Sequence, residues 1–224
     1  MSEPLTAIPV DIETTGFETT DIVTSIGFSL PLGCRVFVNP RDKLVDKHSL
    51  ENELSTAFNT SINLTSHASE AEMLRAVSRF GSDTLGPREY LLVAYNGERF
   101  HGGFDLPFLR TRYAGKNIKW PFSNTPYADL LPIFESRFNT TSSGSDASDL
   151  ESVYKLLVDD NLTELDPFQD SSEAVTAYEN GDHRLLLEHN IADILRTKAL
   201  VCLAEQYCSK SEFKMKSLTP VSEV

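Results

Sequence analysis

Asp11 and Glu13 stand two residues apart in PVDIETTGF (9–17), behind Ile8 and Val10 and ahead of Thr14-Thr15-Gly16. In an extended strand, residues i and i+2 share a face. The two carboxylates then lie about 6–7 Å apart on one face, with Ile12 on the other. In a partly buried setting their repulsion is about 2–3 kcal/mol at an effective dielectric near 20. A hard divalent cation between them relieves that repulsion, because such ions take carboxylate oxygens as ligands. Full hydration at a solvent-facing strand end is the competing reading of the same stretch.

Two further acids have the setting for the same chemistry. Asp105 follows Gly102-Gly103-Phe104 in GGFDLPFLRTR, where paired glycines permit close backbone approach; a plain helix-capping role is the alternative. Asp193 lies in LLLEHNIADILRTKAL and shares a helical face with Leu186, His189, Asn190, Arg196 and Leu200. An acid among leucines calls for a partner, either a metal ion or Arg196 three residues on. His189, four residues before Asp193, falls on the same face. Imidazole titrates near neutrality, which suits it to draw a proton from water.

The elements that must carry these residues follow from periodicity and turn signals. Strands are predicted over 6–12, 21–30 and 33–38, the last two forming a hairpin across Pro31-Leu32-Gly33. The stretch 40–67 reads as polar and irregular. A helix is predicted over 69–80 from the stripe Ala71, Leu74, Ala76, Val77 and Phe80. YLLVAYNG (90–97) is a continuous apolar run that fits a strand buried on both faces, and a helix starts at or near Asp105. Beyond it are predicted a strand fragment at 125–128, a short helix at 128–137, a Ser/Thr/Gly/Asp loop at 138–149 and a helix at 150–158 opened by a Ser148–Glu151 capping box. A helix over 171–179 stops at Asn180-Gly181, and Asp182 caps a long helix over 183–207. Asp129 reads as a helix cap, and Asp146, Asp149, Asp159 and Asp160 as solvated acids. Trp120 reads as a core or surface anchor. This order of elements predicts an α/β fold, a mixed sheet with helices on both faces. It is organised as one domain over 1–208 with a polar, mobile tail over 209–224.

Composition bounds the partners. Hydrophobic residues make up 40% of 224, enough for a sizeable core. The formal net charge of −13 argues against broad, non-specific nucleic-acid binding, which needs a basic surface, but leaves room for a local site where metal ions supply the positive charge. Few lysines beside many acids, Ser and Thr lean slightly towards a high-salt cytoplasm. Three cysteines, Cys34, Cys202 and Cys208, match no zinc spacing and read as reduced. MSEPLTAIPV has no signal-peptide character and no apolar run approaches a membrane span, so a cytoplasmic location with no membrane partner is expected. The four Asn-x-Ser/Thr triplets then count as chance.

DIETTG (11–16), YNG…FDLPFL (95–109) and HNIAD (189–193) together resemble the three motifs of the DEDD 3′–5′ exonucleases of the ribonuclease H-like superfamily. The likeness is nearest to stand-alone archaeal and bacterial members and to the exonuclease domains of family B DNA polymerases. The motifs run in the family's order and span nearly the whole chain. The resemblance implies a ribonuclease H-like fold and makes Asp11, Glu13, Asp105 and Asp193 the carboxylates that hold two divalent ions, Mg or Mn. It implies metal-dependent hydrolysis at a single-stranded 3′ end of DNA or RNA. It further places Thr14, Thr15, Asn96 and Phe104 at the substrate and His189 at the general-base position.

Two departures from the family pattern stand out. Asn96 and Asp105 are nine apart rather than five, the extra residues falling in GERFHGG, and His189 occupies the spacing at which other members carry Tyr. A catalytically weak or inactive module that binds nucleic acid or protein, and an endonuclease acting on RNA–DNA hybrids, are the alternative functions on the same fold.

Overall fold

The computed structural model describes residues 5–41, 46–98, 104–142, 144–168, 170 and 172–222. Gly102 and Gly103, expected to permit close approach before Asp105, lie outside the described residues, as does most of the GERFHGG insertion.

The chain opens with a meander of β1 (Thr6–Thr14), β2 (Val23–Leu30) and β3 (Gly33–Val38). Next come α1 (Lys47–Ala57), β4 (Ile62–Ser66), α2 (Glu70–Phe80), β5 (Tyr90–Ala94) and α3 (Asp105–Gly115). β6 (Pro126–Asp129), α4 (Leu131–Arg137) and a two-rung hairpin of β7 (Thr141–Ser142) and β8 (Ser145–Asp146) follow. The chain then forms α5 (Leu150–Leu157), α6 (Ser172–Asn180), α7 (His183–Tyr207) and β9 (Lys216–Ser217). The strands form one mixed sheet in the order β4-β3-β2-β1-β5-β6-β9. β2 runs antiparallel to β1 and β3, while β5 is parallel to β1 and β6 parallel to β5.

Helices cover both faces, and the period-2 alternation of the strands sorts their side chains between them. Ile8, Val10 and Ile12 of β1 and Leu92 and Ala94 of β5 pack with Met73, Leu74 and Val77 of α2 and with Leu106, Phe108 and Leu109 of α3. Leu91 and Val93 point the other way, onto Leu200, Val201 and Ala204 of α7 and Ile133 and Phe134 of α4. Val36 and Val38 of β3 join Leu187 and Ile191 of α7 and Leu50 and Leu54 of α1 on that second face. Because Ile8, Val10 and Ile12 take the first face, Asp11 and Glu13 are turned towards α7.

Several expectations are corrected. The stretch 40–67 is not irregular: it forms α1 and β4. Asp46 accepts from the Ser49 amide at 3.1 Å to start α1, and Leu50 and Leu54, one turn apart, suffice to bury its inner side. The α5 cap is Asp149, which accepts from the Ser152 amide at 2.8 Å, rather than Ser148. Asp182 holds the position before α7 without a side-chain cap hydrogen bond. The segment beyond 209 does not trail away. β9 pairs with β6, Phe213 and Leu218 are buried, and the Trp120 indole donates to the Leu218 carbonyl at 3.1 Å. Cys34, Cys202 and Cys208 are free, and among the described residues no helix is long and apolar enough to cross a membrane.

Candidate active site

β1 and β2 set the floor of the site. Asp11 is in register with Gly27 and Glu13 with Ser25, so each acid is flanked on its own face by a small residue. Small residues let α7 come close. A Cβ on Gly27 would sit 2.4 Å from the Asn190 Oδ1 and 3.3 Å from the Ile194 Cδ1. At that distance the Asn190 Nδ2 donates to the Asp11 Oδ2 at 2.8 Å. His189 and Asp193, one turn apart on α7, come down beside the acids: the His189 Nε2 is 3.8 Å from the Glu13 Oε1 and 3.9 Å from the Asp193 Oδ2.

Asp105 lies beyond the end of β5, near enough that its charge raises Asp11 and that Glu13 and Asp193 raise it. It is the first residue of α3, whose start is docked on the strand end: Phe104 N–H donates to the Asn96 carbonyl at 3.2 Å and Leu106 N–H to the Gly97 carbonyl at 2.9 Å. Asn96 takes a left-handed φ of 60°, which asparagine tolerates, to turn the chain there. Gly97 must lack a side chain, since a Cβ would meet the Ala94 Cβ at 2.7 Å and the Asp105 Oδ2 at 2.9 Å. Asp129 fixes this turn. Its carboxylate accepts from the amides of Asn96 at 2.9 Å, Glu98 at 3.0 Å and Leu131 at 3.1 Å. The expected helix cap is corrected: the N-cap of α4 is Leu130, without a side-chain cap hydrogen bond, and Asp129 at the end of β6 instead reaches the Leu131 amide while holding the loop that presents Asp105.

The acids feel one another. Burial pushes the Asp11 carboxyl well above the usual range and the charges of Asp105 and Asp193 push it further, against the His189 charge and the Asn190 hydrogen bond. Burial likewise raises Glu13, with Asp11, Asp193 and Asp166 adding to the rise and His189 opposing it. Asp105 is raised by burial and then by Glu13, Asp129 and Asp193. Burial alone would lower His189, but its hydrogen bond to Asp166 and the charges of Glu13 and Asp193 lift it to about 10.

Asp166, on the connection between α5 and α6, was not singled out by its sequence; an acid bracketed by Leu165 and Phe168 is its only trace. Its Oδ1 takes the His189 Nδ1 at 2.9 Å and its Oδ2 takes the Arg196 Nη1 at 2.6 Å. The same Nη1 donates to the Asp193 Oδ1 at 2.7 Å. The anticipated Asp193–Arg196 pair thus forms, while the Asp193 Oδ2 still faces the strand acids. Asp166, His189 and Asp193 offer ligand atoms within 4.8 Å of one another. The Arg196 guanidinium, bonded to both of these acids, already supplies a cation to that group; Asp11, Glu13 and Asp105 are not part of it, and their link to Asp193 is the mutual effect of their charges. Glu13 is buried and Asp11, Asp105 and Asp193 half-buried, and carboxylates whose charges work against one another fit a divalent ion by their donor chemistry.

The remaining expected residues border this cluster. The Thr14 hydroxyl donates to the Gly16 carbonyl at 2.9 Å. The Thr15 hydroxyl donates to the Asp21 Oδ1 and accepts from the Ile22 amide, both at 3.1 Å, so it is spent on closing the β1–β2 loop. Phe104 packs against Phe108 at 4.7 Å between ring centroids and meets Phe17 edge-on at 4.9 Å. Phe17 is 70% exposed; it follows the first motif directly and was not read as a contact residue. No protein-family model and no curated protein matches the chain.

Proposed function

We propose that the protein is a metal-dependent 3′–5′ exonuclease with a ribonuclease H-like fold. The observation that carries this reading is the convergence of Asp11 and Glu13 from the first strand, Asp105 from a strand-to-helix junction and Asp193 from the last long helix on one end of the sheet, where burial and mutual repulsion raise three of the carboxyls. The mixed sheet with helices on both faces supports the fold assignment.

Asp11, Glu13, Asp105 and Asp193 would hold two Mg or Mn ions, which supply a nucleophile at neutral pH and charge stabilisation for the leaving 3′-oxygen. Asn190 keeps Asp11 turned towards the cluster. Phe17 and Phe104 form an aromatic corner beside Asp105 on which a terminal base stacks without regard to its identity. His189 presents Nε2 towards Glu13 and Asp193. Neutralising those two charges would remove part of the lift on its ring, with the Asp166 bond still acting on Nδ1, and Nε2 would then be the nitrogen placed to take a proton from the attacking water. The net charge of −13 fits a site whose attraction for phosphate is local.

The test is cleavage of a 3′-labelled single strand, as DNA and as RNA, in Mn²⁺. Mononucleotide release by the parent and its loss in Asp105→Asn are expected; equal release by both removes the proposal. One observation favours the alternative of a non-catalytic binding module: Arg196, paired with Asp193 and Asp166, already balances part of the acid charge from within. That reading expects no cleavage and no rise in the melting midpoint with Mn²⁺, whereas an ion bound only by the folded state raises it.

A further inference from the structure

We propose that Asp166 and Arg196 are positioning residues that lock His189 and Asp193 in their working orientations from beneath the acid cluster. This rests on the nuclease reading of the site. Four side chains form a chain of contacts: His189 Nδ1 to Asp166 Oδ1 at 2.9 Å, Asp166 Oδ2 to Arg196 Nη1 at 2.6 Å and Arg196 Nη1 to Asp193 Oδ1 at 2.7 Å, with Asp193 Oδ2 3.9 Å from His189 Nε2. The Asp166 bond fixes which edge of the imidazole points at Glu13, and the Arg196 bond fixes which oxygen of Asp193 points at the other acids. A hydrogen bond to the second ring nitrogen is the ordinary means of setting a histidine's tautomer and tilt.

The connection that carries Asp166 is built to hold still. Leu162 and Leu165 pack against the cluster containing Leu187 and Ile191 of α7, and Phe168 packs against the cluster containing Leu186. The Phe168 ring also meets His189 edge-on at 5.4 Å. His189 is therefore gripped on its Nδ1 edge and its flank. This accounts for the departure in the third motif. With His and Asp one helical turn apart, they share a face, and an anchor from outside the helix is needed to turn the ring towards Glu13 rather than along the helix.

Stability alone is a poor reason for this arrangement. Arg196 is 1% exposed. Its Nε and Nη2 find no hydrogen-bond partner among the described residues, and the nearest further acid oxygen, Glu151 Oε1, is 4.0 Å from Nη2. Replacing a buried ion pair by well-packed apolar side chains is often neutral or stabilising. An arginine buried with two of its three nitrogens unpaired among the described residues is better accounted for by what the third nitrogen holds.

The experiment is a double-mutant cycle on the full chain with the 3′-labelled strand in Mn²⁺, measuring kcat and KM for the parent, Asp166→Asn, His189→Ala and the double variant. Asp166→Asn is expected to lower kcat about 10- to 100-fold, the usual effect of removing such an outer partner, with little change in KM. Added to His189→Ala, it is expected to cost less than it does alone, the remainder acting through Arg196 on Asp193. An unchanged kcat, or losses that multiply in the double variant, overturns the proposal. A second readout needs neither activity nor a variant: the proton NMR signal of the His189 Nδ1–H in the parent. A slowly exchanging signal is expected, and its absence overturns the anchoring. If the parent releases no nucleotide, the nuclease reading fails while this signal still decides the geometry.

Discussion

Asn190 and Asp11, 179 positions apart in the chain, meet in a hydrogen bond of 2.8 Å that ties the long helix to the first strand at the acid cluster. Asn190 is fully buried and gives Asp11 a side-chain hydrogen bond that favours its charged form. Asn190→Ala is expected to destabilise the fold by about 1–3 kcal/mol, the range for leaving a buried polar group unpaired. Urea unfolding measures it; a loss under a few tenths of a kcal/mol would show that the bond holds nothing in place.

Gly27 governs how near α7 can lie. Its Cβ in Gly27→Ala would press on the Asn190 Oδ1 at 2.4 Å, so the helix must retreat or the asparagine turn away from Asp11. Overpacking of this kind costs about 1–3 kcal/mol. The melting midpoint is expected to fall, and the Mn²⁺-induced rise to shrink with it. A variant that keeps the full Mn²⁺ response would show that the acids do not depend on this close approach.

Asp105→Asn is expected to do two opposite things. In the absence of divalent ions it should raise the midpoint at neutral pH. The Asp105 carboxyl is held above its ordinary range by burial and by Glu13, Asp129 and Asp193, so its ionisation at neutral pH costs folding free energy that the amide does not incur. In Mn²⁺ the same variant should lose most of the ion-induced rise. Melting with chelator and with Mn²⁺ checks both; a metal-free midpoint lower than the parent's would contradict the repulsion argument.

Glu70 contributes to the acid side of the stability profile, beside Asp166, which is also held below its ordinary value. Its Oε1 accepts from the Val23 amide at 2.9 Å and the Arg112 Nε at 2.8 Å, while its Oε2 accepts from the Arg112 Nη2 at 2.7 Å and faces the Lys116 Nζ at 3.0 Å. Burial works to raise its carboxyl, but the bonds from Arg112, Val23 and Lys116 prevail and hold it below the usual 4.5. A group lowered on folding is ionised more readily in the folded chain. Its stabilisation is present above pH 4.5 and is lost as pH falls through its lowered value. Glu70→Gln is expected to cost about 3–5 kcal/mol at neutral pH, as when one partner of a buried pair is removed. It should also flatten the fall in stability below pH 4.5. Urea unfolding across pH 3–7 reads both, and an unchanged acid limb would assign that limb to other groups.

Short-range pattern in the sequence was enough to locate most carriers of the site. The alternation around Asp11 and Glu13, the apolar run before Asn96 and the 3.6-residue stripe through His189, Asn190, Asp193 and Arg196 are local signals, and the strand, the strand-to-helix turn and the helix form where those signals lie. The same logic missed α1, where Leu50 and Leu54 are too sparse to mark a stripe among polar neighbours, and the closing strand β9, whose two residues take their place from pairing with β6.

By itself, the sequence determined that acids lie on particular faces of particular elements, because side-chain direction along a strand or helix is set by backbone period. Tertiary structure alone decided which faces meet. The small residues Ser25 and Gly27 let α7 descend onto β1, Asp129 pinned the turn that presents Asp105, and Asp166 reached His189 and Arg196 from a connection with no periodicity to read. Those contacts depend on distances between segments far apart in the chain, and no local spacing encodes a distance that exists only once the sheet and its helices have packed.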